Sequence, residues 1–277
     1  MRRSLLALAL CTFTLGSAAD DAVVAVGGAV TEIVYALKGE ARLAAVDTTS
    51  IYPAAALALP KVGYQRQLSA EGLLSTNAKQ LIGTPEAGPP TVLDQVRNAG
   101  MRVTIVSNEH SIDGVRSRIR SIGTALGLDA SAMALESRVA DDWSRVQAEI
   151  AAMPGKPRVI FILAHAGPPM VAGGNTAADA MIRLAGAENA VKGFDGYRPL
   201  TPEGLAETAP DAFVITREGY ESMGGEKTFW TKPGFALTPA AKHKRVVVMD
   251  ALYLLGFGPR LPQSVRELAR GVRGSAG

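Results

Sequence analysis

The sequence predicts an α/β protein of two Rossmann-like lobes joined by a single long helix. Three observations carry this prediction. Short apolar strands alternate with helical segments, the order of elements in the first half returns in the second, and one long amphipathic stretch separates the halves. A shorter duplication marks the repeat: Gly63-Tyr64-Gln65-Arg66-Gln67-Leu68-Ser69-Ala70-Glu71-Gly72-Leu73 against Gly196-Tyr197-Arg198-Pro199-Leu200-Thr201-Pro202-Glu203-Gly204-Leu205. From the leucines at 68 and 200 onward the two copies align without a gap.

In the first half, Val23 to Val26 reads as a strand ending at Gly27-Gly28, and Thr31 to Leu37 as a helix closed by Gly39. Leu43 to Val46 is the next strand, followed by a polar loop from Asp47 to Pro53. A helix from Ser69 to Ser75, a strand at Gln80 to Gly83, a helix from Thr91 to Ala99 and a strand from Arg102 to Val106 continue the alternation. From Ser131 to Met153, Leu135, Val139, Trp143, Val146 and Ile150 recur at spacings of four, four, three and four, one apolar stripe stopped by Pro154-Gly155. At roughly 1.5 Å per residue such a helix is about 30 Å long, enough to cross the side of two lobes. Beyond it, Val159 to Leu163 is a strand, and Gly173-Gly174 precedes a helix through Ala180 to Leu184. A helix opened by Leu-Thr-Pro-Glu and strands at Ala212 to Ile215 and Val246 to Met249 complete the second half. The expected organisation is a signal peptide at 1–19, an N-terminal lobe at 20–129, a linker helix at 130–153 and a C-terminal lobe at 154–277, with a cleft where strand-end loops face each other.

The leader assignment rests on Arg2 and Arg3, an apolar run from Leu5 to Leu15 too short to span a bilayer, and Gly16-Ser17-Ala18-Ala19 before Asp20. Cys11, the single cysteine of the 277 residues, lies in that run with Leu10 before it, where a lipoprotein leader needs a small residue. The expected product is therefore a soluble chain without thiol or disulfide, which excludes thiolate metal chemistry. Of 29 basic residues, loss of Arg2 and Arg3 leaves 27 against 26 acidic ones. A balance that close to neutral gives no support to a nucleic-acid partner.

Ser69 and Thr201 are good helix caps, with Pro202 at the first helical position and Glu71 and Glu203 at the second. The helix dipole alone accounts for one such glutamate. Two at matched places also fit a pair of carboxylates presented to a partner's arginines. Tyr64 lies in a segment expected to be extended, where residues two apart share a side, so Arg66 would lie alongside it. A phenol with pKa near 10 ligates metal at neutral pH only when its anion is stabilised, as a guanidinium or a ferric ion does; the plainer alternative is a loop tyrosine packed on its neighbours. His165 follows the strand that opens the second half, as a structural histidine or a second ligand. Met170 is a soft contact or core. Arg217, at the end of the strand after Phe213, is a surface arginine or a fork for a carboxylate. His110 and His243 belong to no cluster. Neither glycine pair has dinucleotide or P-loop spacing, and no nucleophile elbow, zincin motif or triad assembles.

These stretches resemble the haem (hemin) periplasmic binding proteins of bacterial ABC importers, within a wider group that carries iron siderophores and vitamin B12. The similarity runs through nearly the whole mature chain. It is most specific in DTTSIYP at 47–53, LPKVGYQRQLSAEGLLS at 59–75, AGPP at 87–90, PMVAGGNTAADAMIRLAGAENAV at 169–191, GYRPLTPEGLAE at 196–207 and MDALYLLGFGPRLP at 249–262. The tyrosine–arginine segment distinguishes haem binders from their siderophore and cobalamin relatives, which remain the alternative reading of the same fold. The resemblance implies the helical-backbone periplasmic binding protein fold, transport without catalysis, and ferric haem b as cargo. It also implies that Tyr64 is the axial ligand, that Arg66 hydrogen-bonds the tyrosinate, and that Arg217 meets a propionate. Glu71 and Glu203 would dock onto an inner-membrane ABC permease and, through it, its ATPase. His165 is the candidate second ligand, Met170 a further haem contact, and the protein a periplasmic monomer.

Overall fold

The computed structural model describes residues 22–164 and 167–274, so the leader at 1–19 with Cys11, and His165, lie outside the described residues. The first lobe runs β1 (Val23–Val26), α1 (Gly28–Ala36), β2 (Leu43–Val46), α2 (Ala70–Leu74), β3 (Gln80–Gly83), α3 (Pro90–Asn98), β4 (Arg102–Ile105) and α4 (Ile112–Ala125). Its sheet has the order β2-β1-β3-β4 and is parallel throughout, with Val23 opposite Gln80 and Gln80 opposite Arg102. Val23 and Ala25 enter one apolar cluster while Val24 and Val26 enter another. Burial on both faces is why this strand reads as a continuous apolar run rather than an alternation.

The long helix is α5 (Asp129–Ala151). It starts two residues before the expected Ser131, because the Asp129 carboxylate, which accepts a hydrogen bond from Thr124, suits the positive end of the helix dipole. Leu135, Val139 and Val146 are buried and Trp143 and Ile150 pack beside them, as the stripe requires. Its first half holds α4 through Glu136, paired with Arg116 at 2.9 Å and Arg120 at 3.5 Å.

The second lobe comprises β5 (Arg158–Leu163), β6 (Met170–Ala172), α6 (Ala177–Leu184), β7 (Glu188–Asn189), β8 (Tyr197–Pro199), α7 (Pro202–Thr208) and β9 (Ala212–Thr216). It continues through α8 (Arg217–Ser222), α9 (Gly225–Thr228), α10 (Pro239–Lys242), β10 (Val246–Met249), α11 (Ala251–Leu255) and α12 (Leu261–Gly271). The second half of α5 holds this lobe through Glu149, 2.9 Å from Arg266 on α12.

The expected identity of element order fails here. The parallel set β7, β5, β9, β10 matches β2, β1, β3, β4, but β7 covers only the start of β5, at Arg158 and Val159. The far end of that edge is taken by β6, antiparallel through Ile162 and Leu163, and β8 extends the sheet antiparallel to β6. Tyr197 thus sits in an edge strand opposite Ala172.

A single apolar cluster contains residues of β1, α1 and α4, of α5, and of β5, α6 and α12, so the lobes share a core. Polar contacts lock it. Glu32 of α1, buried, accepts two hydrogen bonds from Arg260, from Nε at 2.9 Å and Nη2 at 2.8 Å. The Arg260 guanidinium lies 3.5 Å above the Tyr52 ring of the first lobe and 4.9 Å from Tyr253 of the second. Arg118 of α4 donates to the Ser107 carbonyl at 2.6 Å and crosses to the Phe257 and Gly256 carbonyls at 2.8 and 3.3 Å. Removing one partner of a buried ion pair strands the other charge. Glu32→Ala is therefore expected to lower the unfolding free energy by about 3 kcal/mol, measured by denaturant titration; an unshifted midpoint would show the pair to be dispensable.

Candidate functional site

Tyr64 and Arg66 lie in the loop between β2 and α2, Arg217 directly follows β9, and the charge of Arg66 reaches Tyr197 of the other lobe. In the first lobe the organising group is Asp47, fully buried directly after β2. Its Oδ1 accepts from the Gly27 amide at 2.8 Å and the Ser50 hydroxyl at 2.7 Å; its Oδ2 accepts from the Thr49 amide at 2.9 Å and the Thr49 hydroxyl at 2.6 Å. Thr49 Oγ1 in turn accepts from the Gly28 amide at 3.0 Å. With its proton committed to Asp47, Ser50 is the acceptor in its 2.7 Å contact with Thr31. One carboxylate thus ties the β1–α1 turn to the 47–50 loop. A Cβ on Gly28 would lie 2.6 Å from the Thr49 carbonyl and 2.6 Å from Leu252 of α11, so only glycine allows this loop and the second lobe to close on the start of α1.

The tyrosine segment hangs on that loop. Gly63, at φ 100, accepts at its carbonyl a hydrogen bond from the Thr48 amide at 2.9 Å. The segment is not extended as expected: the Gln67 amide bonds the Tyr64 carbonyl at 2.8 Å, closing a turn with Gln65 and Arg66 at its corners. The left-handed Gly63 starts this reversal. Gln65 accepts from the Gly88 amide at 2.9 Å, and the Leu68 amide donates to the Gly88 carbonyl at 2.8 Å, so the turn is pinned on both sides. Its backbone is fixed while the Tyr64 side chain stays 42% exposed.

The turn also changes what Arg66 meets. Among the described residues no hydrogen bond joins it to the Tyr64 phenol. Its charge instead reaches Glu86 beside it and Tyr197 across the lobes. Burial acts to raise the Glu86 carboxyl, but hydrogen bonds from Thr84 and Asn108, with the charge of Arg66, outweigh it and hold Glu86 below its ordinary value. The Tyr197 phenol is pushed up by burial, against which Arg66 works. Sequence reasoning missed Glu86, which stands after β3 immediately before the AGPP stretch. The Asn108 Nδ2 donates to its Oε1 at 2.6 Å, a pairing across 22 residues that no local spacing announces. His110, expected to be isolated, packs its ring on Phe257 at 4.9 Å; burial first, then the charge of Arg118, holds it below its ordinary value.

In the second lobe Arg217 is exposed at the first position of α8, just past β9, whose Thr216 caps that helix. Met170 opens β6, half-buried, opposite Leu163 and Pro199. Glu71 and Glu203 are exposed at the second positions of α2 and α7. Ser69 and Thr201 cap these helices by accepting from Gly72 at 3.0 Å and Gly204 at 3.1 Å. Among the described residues no cluster of three or more acidic, histidine or cysteine side chains could hold a metal ion, and no helix is long and apolar enough to cross a membrane. Concavities of about 660 Å³ beside α6 and about 620 Å³ between β10 and α12 contain none of the predicted site residues.

Fold and site together define a two-lobed binding protein whose strand-end loops confront each other. The family model for periplasmic binding proteins matches residues 23–253, and the chain belongs to that family. The architecture matches solved structures over nearly its whole length. The periplasmic haem-binding protein BhuT, solved with two haems, is 46% identical, with 91% of this chain and 98% of that chain covered and a TM-score of 0.88. A periplasmic haem-binding protein from Pseudomonas aeruginosa is 38% identical, covering 93% and 94%, with a TM-score of 0.83. The haem-binding protein RhuT from Roseiflexus sp. RS-1, solved in apo form, is 35% identical over 93% and 100%, with a TM-score of 0.89. The resemblance read from the sequence is borne out.

Because each Asp47 oxygen takes two donors, an asparagine in either orientation turns its NH2 toward two of them. Asp47→Asn is expected to cost about 1–3 kcal/mol and to speed amide exchange at Thr48 and Gln67, read by hydrogen-exchange mass spectrometry. Unchanged exchange there would show that Asp47 does not hold the tyrosine turn.

Proposed function

We propose that this chain captures ferric haem between its lobes in the periplasm and delivers it to an inner-membrane ABC permease. The observation that carries the reading is Tyr64: an exposed phenol on a backbone pinned from both sides, in a chain 46% identical to a haem-binding protein. A phenol ligates iron as its anion, and at neutral pH a group with pKa near 10 gives up that proton only to a strong electrophile with help from nearby positive charge. Ferric iron is the electrophile. Arg66, two residues on in the same turn, is the positive charge and donates to the tyrosinate once it forms. Placing the ligand on a rigid turn removes the ordering cost that a mobile loop would add to binding.

The second lobe supplies the opposite wall. Arg217, exposed at the start of α8, is placed to fork onto a propionate, and Met170 offers a polarisable apolar contact to the porphyrin. His165 remains the candidate for a second axial ligand, on its position after β5. Glu71 and Glu203, one per lobe, dock onto permease arginines, and the ATPase is reached through the permease. The protein acts as a monomer that performs no chemistry, in keeping with its family of binding proteins.

Haemin titration followed by absorbance tests the ligand. Wild type is expected to give a ferric tyrosinate-type spectrum, Tyr64→Phe to lose it together with most of the affinity, and Arg66→Ala to bind about 10–100-fold more weakly. Undiminished affinity in Tyr64→Phe removes Tyr64 from the iron, and saturation by a ferric siderophore or cobalamin in preference to haemin would reassign the cargo. The docking role is tested by the Glu71→Lys, Glu203→Lys double variant in proteoliposomes holding the permease and ATPase. Haem binding is expected to persist and uptake to stop; normal uptake would rule the role out.

A further inference from the structure

We infer that each docking glutamate is half of a two-part contact, completed by an exposed leucine beside it, so that the partner presents two guanidinium groups each bordered by an apolar recess. The inference rests on the reading that Glu71 and Glu203 face the permease. In the second lobe the leucine is Leu237, 77% exposed. It lies at the end of a short 3-10 turn, Phe235–Leu237, which packs against α7 just where that helix begins: a Cβ on Gly234 would stand 2.9 Å from Pro202 Cα, the residue before Glu203. In the first lobe it is Leu74, 39% exposed and three residues after Glu71 on α2, a spacing that puts both side chains on one helix face.

Scattered exposed apolar side chains are ordinary. These two differ in lying on or against the helix that carries each glutamate, Leu74 on α2 itself and Leu237 on a turn packed against α7, and the Leu237 turn is rigidly held. The Leu237 turn is closed by its own amide on the Gly234 carbonyl at 3.3 Å. It is closed again by Thr238, whose amide and hydroxyl reach the Phe235 carbonyl at 3.1 and 2.7 Å. Phe235 is buried, stacked on Phe213 at 5.0 Å and edge-on to Phe229 at 4.9 Å, which anchors the turn in the core. A fixed apolar side chain adds contact area with little ordering cost. Beside a carboxylate it also displaces water and strengthens the ion pair formed there. The clasp between the lobes fixes the distance between the two contacts, so a partner must match both at once.

The parts have separable signatures. Rim charges set the association rate and its salt dependence, whereas buried apolar contacts set dissociation. The test measures binding of the haem-loaded protein to the permease–ATPase complex in nanodiscs by biolayer interferometry at several salt concentrations. Leu74→Ser and Leu237→Ser are expected to speed dissociation about tenfold each, with association and its salt dependence unchanged. Met133→Ser, which removes a 64% exposed side chain from the connecting helix α5, is the control and is expected to change nothing. Glu71→Gln and Glu203→Gln are expected to slow association and flatten its salt dependence. Leucine variants that behave like Met133→Ser overturn the inference and leave the glutamate docking intact. Glutamate variants without effect overturn the docking reading itself. Retained haemin affinity in each variant confirms that the fold is unchanged.

Discussion

Two arginines that cross between the lobes set the geometry on which every loop position depends. Arg118 is buried, and an unpaired buried guanidinium is costly; it is satisfied by Ser107 of its own lobe and by two successive carbonyls, Gly256 and Phe257, of the other. Phe257 accepts this role in a left-handed conformation, φ 51, which for a bulky residue costs about 1–3 kcal/mol. Its buried ring and the Arg118 bond hold it there. Arg260, three residues on, meets Glu32 from the opposite direction. With the apolar cluster continuous through both lobes, wide hinge opening would expose core and break both arginine contacts. Only small changes of the lobe angle keep them.

The same logic operates at smaller scale around Asp47. A buried carboxylate is tolerated when hydrogen bonds replace its hydration, and four donors do so here. Because those donors come from two separate loops, satisfying the charge also fixes the loops, and the Thr48–Gly63 bond passes that order to the tyrosine turn. The second lobe reaches the matching place differently. Tyr197 is held by an edge strand paired to β6, with Arg198 stacked on Phe194 at 4.3 Å. Two alike sequence stretches therefore carry their tyrosines on a turn in one lobe and a strand in the other.

This explains what was legible in the sequence. Short apolar runs announce strands, β1 and β3 buried on both faces among them, and β1, β2, β3 and β10 lie at the boundaries read from residue type alone. The Ser69 and Thr201 caps were equally clear, because capping is local chemistry. β6 and β8 were not, being three residues each, one of them with Pro199, which a sheet tolerates at its edge. The Asp47 loop read as polar and as part of the resemblance but not as a hydrogen-bond network, since its donors are up to 20 residues away. Glu32 and Arg260 are 228 residues apart, and no periodicity links them, although the GFGPR stretch that carries Arg260 stood out. The Tyr64 segment was misread as extended because alternation says nothing of the Gly63 backbone.

The placement of Arg66 bears on which iron the cleft would favour. Its charge is already matched in part by Glu86, whose carboxylate is kept ionised by Thr84, Asn108 and Arg66 itself. A phenolate formed at Tyr64 becomes a second anion competing for the same guanidinium, so Arg66 can carry only part of its stabilisation. The rest must come from the metal. A trivalent ion supplies it far better than a divalent one, since attraction to the phenolate scales with the charge of the centre. On the proposed reading, then, Glu86 shares the Arg66 guanidinium with the tyrosine ligand, and a ferric centre supplies the larger part of the charge that holds it.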